Sequence, residues 1–245
     1  MRILVFQHLD VEHPGVFRDL WDASGHQWLP VELDAGEPIP PLEGFDLLAV
    51  MGGPMDVWQE EQHPWLIPEK AAIRRWVREL NRPYLGICLG HQLLADALGG
   101  TVELMQRPEV GLATIELTDA GHADPLLAGF PAMVETLQWH GAEVSRLPEG
   151  GVVLAANAAC PIQAMRIGRQ AWGFQYHMEI TPSTVADWGL IPEYRASLET
   201  ALGAERAAGL AAEVAPKLPA FRDSAELLAA NLEALVAQAS LKRSA

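Results

Sequence analysis

Basic residues are scarce in this chain. Lysine and arginine together number 17 against 32 aspartates and glutamates, which gives a formal net charge of −15 at pH 7. A strongly acidic protein is repelled by phosphate backbones and by anionic membrane surfaces. We therefore expect neither nucleic acid nor a membrane among the partners, and we attribute the excess negative charge to a well-solvated surface.

Cysteines and long apolar runs are also few. Cys88 and Cys160 are the only thiols in 245 residues, too few for a disulfide framework, so we expect a reducing, cytoplasmic location. No apolar run approaches the roughly 18 residues that a membrane span needs. The N-terminal residues enter a strand-like pattern at once, which predicts that no signal peptide is present. No metal-ligand spacing and no nucleotide-binding fingerprint occurs, so we expect no metal and no cofactor.

The first hundred residues alternate apolar strand patterns with amphipathic helical patterns. Strands are predicted at 3–6, 28–33, 46–51 and 83–87, and helices from Pro14 to Gly25, from Pro68 to Leu80 and from Leu89 to Leu98. Such alternation predicts an α/β fold, with a mostly parallel sheet and helices on both faces. Ligands of such sheets bind beyond the carboxyl ends of the strands.

The pattern changes after residue 100. Short β-like runs at 102–104, 111–117, 133–139, 152–156, 162–167 and 172–176 predict antiparallel strands or hairpins that extend the sheet. From Thr181-Pro182 onward the sequence is helical, and residues 223–226 resemble a capping box at a helix start. We expect a domain of residues 1–190 with a C-terminal helical extension, residues 191–245, packed on it.

One short stretch places a cysteine on a turn between a strand and a helix. Gly86 and Gly90 flank Cys88 in the pattern G-x-C-x-G, which is the cysteine form of a nucleophile elbow. Glycines there let strand and helix approach closely around a strained residue. The positive end of the helix dipole favours a thiolate, and the free N–H of Leu89 faces the place where an oxyanion would form. Cys88 is therefore a candidate nucleophile.

A second stretch supplies a base and a group to orient it. Residues i and i+2 of a strand point to the same side, so His177 and Glu179 are predicted to stand together. A nucleophilic cysteine needs a base, and a third group fixes the tautomer of that base. Cys88 would attack, His177 would move protons, and Glu179 would hold the imidazole. An isolated His-x-Glu pair also fits an exposed strand face, and the cysteine elbow favours catalysis.

With these motifs the chain resembles the class I glutamine amidotransferases. It carries the nucleophile stretch Gly86–Gln92, the His-x-Glu pair in the same chain order, and the glycine loop Gly52-Gly53-Pro54. The likeness covers about residues 1–190, and the overall pattern is most similar to free-standing members related to the glutaminase part of GMP synthase. The resemblance implies a flavodoxin-like fold and hydrolysis of a γ-glutamyl amide through a thioester.

The resemblance also implies roles for further residues. Gly53, which follows Gly52 in the glycine loop, would supply a backbone N–H that joins that of Leu89 in an oxyanion hole. Gln92, in the first turn of the elbow helix, would face the substrate. The loop that binds the substrate α-carboxylate in this family resembles His140-Gly141-Ala142, and its backbone would hold that group.

Other polar residues are assigned structural roles. The loop that carries His8, Asp10, Glu12 and His13 lies at the ligand edge of the sheet, where it could contact an acceptor, but we expect it to be solvated. Cys160 and His91 are expected to be structural. Trp58, His63 and Trp65 either wall the pocket or pack against the next helix.

Three functions remain open on the sequence alone. The first is a glutaminase that releases glutamate and ammonia and serves a synthase subunit. The second is a stand-alone hydrolase of γ-glutamyl peptides or amides. The third is a non-catalytic binding protein of the same fold, and the complete set of Cys88, His177 and Glu179 argues against it.

Overall fold

A nine-stranded sheet forms the centre of the protein. The computed structural model describes residues 1–244. Its strands are β1 (Arg2–Gln7), β2 (Gln27–Glu32), β3 (Leu47–Val50), β4 (Tyr84–Ile87), β5 (Thr101–Leu117), β6 (Met133–Arg146), β7 (Gly151–Ala156), β8 (Ala164–Ile167) and β9 (Ala171–Phe174). The helices in the same range are α1 (Val16–Ala23), α2 (Leu66–Arg74), α3 (Leu89–Ala97), α4 (Asp119–Ala123), α5 (Thr184–Trp188), α6 (Pro192–Leu202), α7 (Ala204–Val214) and α8 (Leu218–Ser244).

The strand order is β2-β1-β3-β4-β9-β8-β7-β5-β6. The first five of these strands pair in parallel, and their order matches the 2-1-3-4-5 arrangement of flavodoxin-like sheets. The other four are added by antiparallel pairing. The predicted α/β fold is confirmed, and so is the prediction of antiparallel strands that extend the sheet.

Helices cover both faces of the sheet. Phe17 and Trp21 of α1 share one buried apolar cluster with Leu228 and Leu232 of α8. On the opposite face, α2 and α3 bury a second cluster that includes Ile73. Each large apolar side chain buried in this way contributes ~1.5–3 kcal/mol. The C-terminal region thus packs into the main core, while the 1–190 boundary stays a prediction.

A third apolar cluster lies over the antiparallel half of the sheet. Helices α5, α6 and α7 pack there against Leu137 and Trp139 of β6 through Trp188, Tyr194 and Leu210. This cluster brings α6 close to the carboxyl ends of the parallel strands. None of the helices among the described residues is long and apolar enough to cross a bilayer.

Two local predictions are wrong. The runs at 102–104 and 111–117 belong to one strand, β5, which forms a long ribbon with β6. Most side chains between Glu103 and Arg107 are exposed there, so the sequence shows no apolar alternation. The capping-box signature at 223–226 lies inside α8, because the helix has already begun at Leu218 after a 3-10 turn that contains Pro216.

Candidate active site

The turn between β4 and α3 has the geometry of a nucleophile elbow. Cys88 connects Ile87 to Leu89 with a φ of 53°, in the left-handed region that favours glycine. A Cβ on Gly86 would lie 2.5 Å from the carbonyl oxygen of Gly90, and one on Gly90 would lie 2.1 Å from that of Val50. Both positions therefore require glycine, and the strained turn predicted from the sequence is present.

His177 and Glu179 lie together beside this turn. The Nδ1 of His177 donates to Oε1 of Glu179 at 2.7 Å, and Oε2 of Glu179 accepts from the N–H of Met178 at 3.0 Å. Both side chains are buried. The reason for their proximity differs from the prediction, because β9 ends at Phe174 and the pair follows it. His177 makes only an isolated antiparallel bridge to Leu137.

The electrostatic surroundings of His177 favour its protonated form. Burial lowers the pKa of this imidazole, but the charge of Glu179 and a hydrogen bond with Cys88 offset that effect, so its pKa is raised well above 6.5. Because Nδ1 is engaged by Glu179, Nε2 is left for the thiol. The arrangement can therefore hold a proton taken from Cys88.

Further contacts of the sulfur were not predicted. The Nε2 of Gln175 lies 3.7 Å from Sγ of Cys88, and the carbonyl oxygen of Trp139 lies 3.9 Å from it. Gln92, in α3, donates to Oε1 of Gln175 and to the carbonyl oxygen of Ala142, both at 3.1 Å. Gln92 thus connects the elbow helix to β6, and no local sequence signal singles out Gln175.

A cavity of about 210 Å³ adjoins the thiol. Its size suits a ligand of amino-acid dimensions, below the ~300–1,000 Å³ of pockets for drug-sized ligands. The cavity brings together most of the predicted site residues, and α6 adds a wall that the sequence did not predict. The lining residues used below are Gly53, Cys88, Gln92, His140, Gly141, Ala142, Glu193, Tyr194 and Ser197.

The two predicted oxyanion donors are neighbours in the structure. A Cβ on Gly53 would lie 2.9 Å from Cδ2 of Leu89, and the N–H of Gly90 donates to the carbonyl oxygen of Met51 at 3.1 Å. The glycine loop is therefore attached to the start of α3. Gly52 faces inward, where a Cβ would meet a carboxylate oxygen of Glu12 at 2.4 Å and Cε1 of His177 at 3.5 Å.

The predicted α-carboxylate loop is not a loop. His140, Gly141 and Ala142 lie inside β6, and β5 pairs with both sides of them. The register shifts at this point, since Leu104 pairs with Ala142 and Glu109 pairs with His140. Gly141 is left opposite the bulged part of β5. Its backbone therefore stays outside the regular ladder at the edge of the cavity.

The prediction of a solvated first loop is wrong for two residues. His8 and Glu12 are buried, whereas Asp10 is exposed and His13 is half-buried. Burial raises the pKa of Glu12 to about 7, and the hydroxyl of Tyr194 donates to its carboxylate. The loop is covered because α6 folds back over it, a contact between residues far apart in the chain.

The remaining candidates are placed as follows. Trp65 stacks on the His8 ring at 5.2 Å between centroids, while Trp58 is exposed. His63 packs at a tilt against Trp65. His91 is buried, and burial lowers its pKa to about 3, so the ring is neutral.

We expect electrophiles to label Cys88 and not Cys160. Cys160 is fully buried, and burial raises the pKa of its thiol to about 12. At pH 8 only about one such thiol in 10⁴ is ionised. A glutamine-like diazo-ketone should therefore modify Cys88, as read by peptide mass spectrometry. Label found mainly on Cys160 would contradict this assignment.

Comparison with known proteins agrees with the geometry. Residues 26–187 match the family model of glutamine amidotransferase class-I. The chain belongs to this family. A glutamine amidotransferase-like protein, YfeJ, of Salmonella typhimurium is 34% identical over 215 residues, covering 83% of this chain and 85% of that protein.

Two further relatives support the same assignment. One subunit of the glutamine-hydrolyzing GMP synthase of Sulfolobus acidocaldarius is 34% identical over 151 residues, covering 61% of this amidotransferase-family chain and 76% of its own length. The crystal structure of a glutamine amidotransferase from Thermotoga maritima superposes with a TM-score of 0.83 at 26% identity, covering 96% of this chain and 98% of that one. In the part of the chain that the structure describes, no group of three or more His, Cys, Asp or Glu side chains could hold a metal ion.

Proposed function

We propose that this protein hydrolyses the γ-amide of glutamine to glutamate and ammonia through a cysteinyl thioester. The observation that carries the proposal is the buried series Cys88, His177 and Glu179 at the mouth of a small cavity. The thiol sits at a helix N-terminus, the base is beside it, and a carboxylate orients the base. This is the arrangement that activates a nucleophile for acyl transfer.

The chain's own groups suffice for each step. His177 takes the proton of Cys88, and the thiolate attacks the amide carbon. The resulting oxyanion accepts hydrogen bonds from the N–H groups of Leu89 and Gly53. When the carbon–nitrogen bond breaks, ammonia leaves with the proton held by His177. A water molecule, deprotonated by His177, then attacks the thioester, and glutamate leaves as the thiolate is restored.

Binding of the substrate would use the opposite side of the cavity. The backbone of His140, Gly141 and Ala142 would hold the α-carboxylate, since Gly141 stands outside the strand ladder. Gln92 would orient the substrate from the first turn of α3, where its side chain already joins Ala142 to Gln175. Glutamine would thus be held between the elbow helix and β6.

A second candidate function is supported by α6. Glu193, Tyr194 and Ser197 line the cavity, and all three lie beyond the residues that the family model matches. A chain that supplies its own wall needs no partner to complete the pocket. This favours a stand-alone hydrolase of γ-glutamyl amides or peptides over a glutaminase that waits for an ammonia-accepting synthase, the arrangement that the name of the GMP synthase relative implies.

We expect the pure protein to hydrolyse a γ-glutamyl bond without any partner. Steady-state turnover of glutamine and of γ-glutamyl dipeptides measures this directly. Turnover of dipeptides well above that of glutamine favours the stand-alone hydrolase. Slow turnover of both that rises when a candidate synthase is added favours the glutaminase that serves a synthase. No turnover and no thioester under any condition would defeat both and leave the binding protein.

A further inference from the structure

The peptide between Gly52 and Gly53 is held from behind by a buried histidine. His8 follows β1 and Gly52 follows β3, and these adjacent parallel strands pair Phe6 with Val50. Continuing that register places His8 beside Gly52. The Nδ1 of His8 lies 2.7 Å from the carbonyl oxygen of Gly52, and the imidazole is fully buried.

His8 is itself fixed on its other side. Its Nε2 lies 3.0 Å from Oε1 of Glu69 in α2, which is also fully buried, and Trp65 stacks on the ring with an interplanar angle of 18°. The second carboxylate oxygen of Glu69 has no hydrogen-bond partner among the described residues. The charge of Glu69 is therefore compensated by His8, and neither residue can move alone.

The acceptors around the ring decide where its protons are. A carbonyl oxygen can only accept, so Nδ1 must carry a proton and donate it to Gly52. Burial lowers the pKa of His8, but the charge of Glu69 and the hydrogen bonds to Glu69 and Gly52 outweigh this effect, and the pKa is raised overall. The ring is thus a stable donor to the Gly52 carbonyl.

This contact sets the direction of an oxyanion donor. The C=O of Gly52 and the N–H of Gly53 belong to one planar trans peptide group, so they point in opposite directions. With the carbonyl directed at His8, the N–H points away from His8. Gly53 lines the cavity together with Cys88, whereas His8 lies behind the loop.

We propose that His8, supported by Glu69, is a positioning residue that keeps the Gly52–Gly53 peptide turned so that the Gly53 N–H faces the oxyanion site. The inference rests on the proposed function for its catalytic meaning. Its structural content stands separately, because the peptide orientation can be observed without any reaction. An oxyanion hole held in this way is already formed in the isolated chain.

Two isosteres test the proposal. The amide nitrogen of asparagine is as many bonds from Cα as Nδ1 of histidine, whereas that of glutamine matches Nε2. His8→Asn therefore keeps a donor for Gly52, and His8→Gln keeps only the link to residue 69. Both changes are made in a Glu69→Gln background, which serves as the reference, so that no buried carboxylate is left uncompensated.

The expected result separates positioning from folding. His8→Gln should lower kcat on the best γ-glutamyl substrate by roughly 10²–10³-fold, the effect of losing one oxyanion donor, with little change in KM. His8→Asn should retain most of the reference turnover. Alkylation of Cys88 by iodoacetamide should be unchanged in both, because displacement at a tetrahedral carbon builds no oxyanion. Equal turnover in the two variants, or equal losses of turnover and alkylation, would overturn the proposal.

Crystal structures decide the matter even without turnover. In the unmodified protein, the Gly52 carbonyl should point at His8, and a carbonyl turned away would overturn the proposal whether or not any variant folds. In His8→Gln the peptide should be rotated or disordered, and in His8→Asn it should keep its orientation. If the unmodified protein hydrolyses nothing, the proposed function fails, while these orientations still test the role of His8.

Discussion

Replacing Cys88 by alanine is expected to abolish hydrolysis, with a loss in kcat of roughly 10⁶-fold, as for removal of the nucleophile from other triads. The thiolate is the only group in the proposed mechanism that bonds to the amide carbon. The oxyanion donors and the cavity remain, so substrate should still bind. Steady-state turnover of the best γ-glutamyl substrate and a binding measurement by calorimetry check both parts of the expectation.

The matched control is the other cysteine. Cys160→Ala removes a fully buried thiol whose pKa burial raises to about 12, so it should leave kcat unchanged. Mass spectrometry of the protein quenched during turnover should show a glutamyl adduct in the Cys160→Ala variant and none in Cys88→Ala. Turnover that survives in Cys88→Ala at more than a thousandth of the original rate would exclude the thioester mechanism.

The nucleophile could be predicted because its signal is local. Gly86 and Gly90 lie within two residues of Cys88, and their spacing reports the close contact of β4, α3 and β3 that the structure shows. The apolar strand before the turn and the helical pattern after it add to the same signal. Every part of this inference lies within about fifteen residues of the chain, where sequence patterns are informative.

His8 and Glu12 could not be predicted in the same way. His8 meets Gly52 across 44 positions and Glu69 across 61, and Glu12 meets Tyr194 across 182. A polar loop with two acids and two histidines has the composition of a solvated segment. Only the packing of α2 and α6 over the loop buries these side chains, and burial of polar groups depends on partners that a single sequence does not reveal.

The His177–Glu179 pair was predicted with an incomplete reason. The i, i+2 rule applies to a strand, yet the regular strand β9 ends at Phe174. The bridge to Leu137 keeps the segment extended, so the two side chains still meet. The opposite case is His140, expected in a loop and found in β6, because the β5–β6 ribbon carries few buried apolar residues to mark it.

Substituting Glu179 by glutamine is expected to lower kcat by roughly 10⁴-fold while the protein stays folded. Glutamine fills the same space and can still accept the hydrogen bond from Met178, but it carries no charge to stabilise the imidazolium of His177. The measurement is kcat at saturating substrate together with the melting temperature. Glu116→Gln, which neutralises an exposed carboxylate of β5, is the control for the change in net charge and should leave both values unaltered.

The pH dependence of the same variant identifies how Glu179 acts. Burial lowers the pKa of His177, and the charge of Glu179, followed by the contacts with Cys88, raises it well above 6.5. An imidazolium exists below its pKa, so removing the charge of Glu179 shortens the range in which His177 is protonated from its alkaline end. At pH 7 a smaller share of the Cys88–His177 pair is then thiolate and imidazolium. Iodoacetamide should therefore alkylate Cys88 more slowly in Glu179→Gln, in contrast to His8→Gln, where only turnover falls. Alkylation and turnover both equal to those of the unmodified protein would remove Glu179 from the proposed machinery.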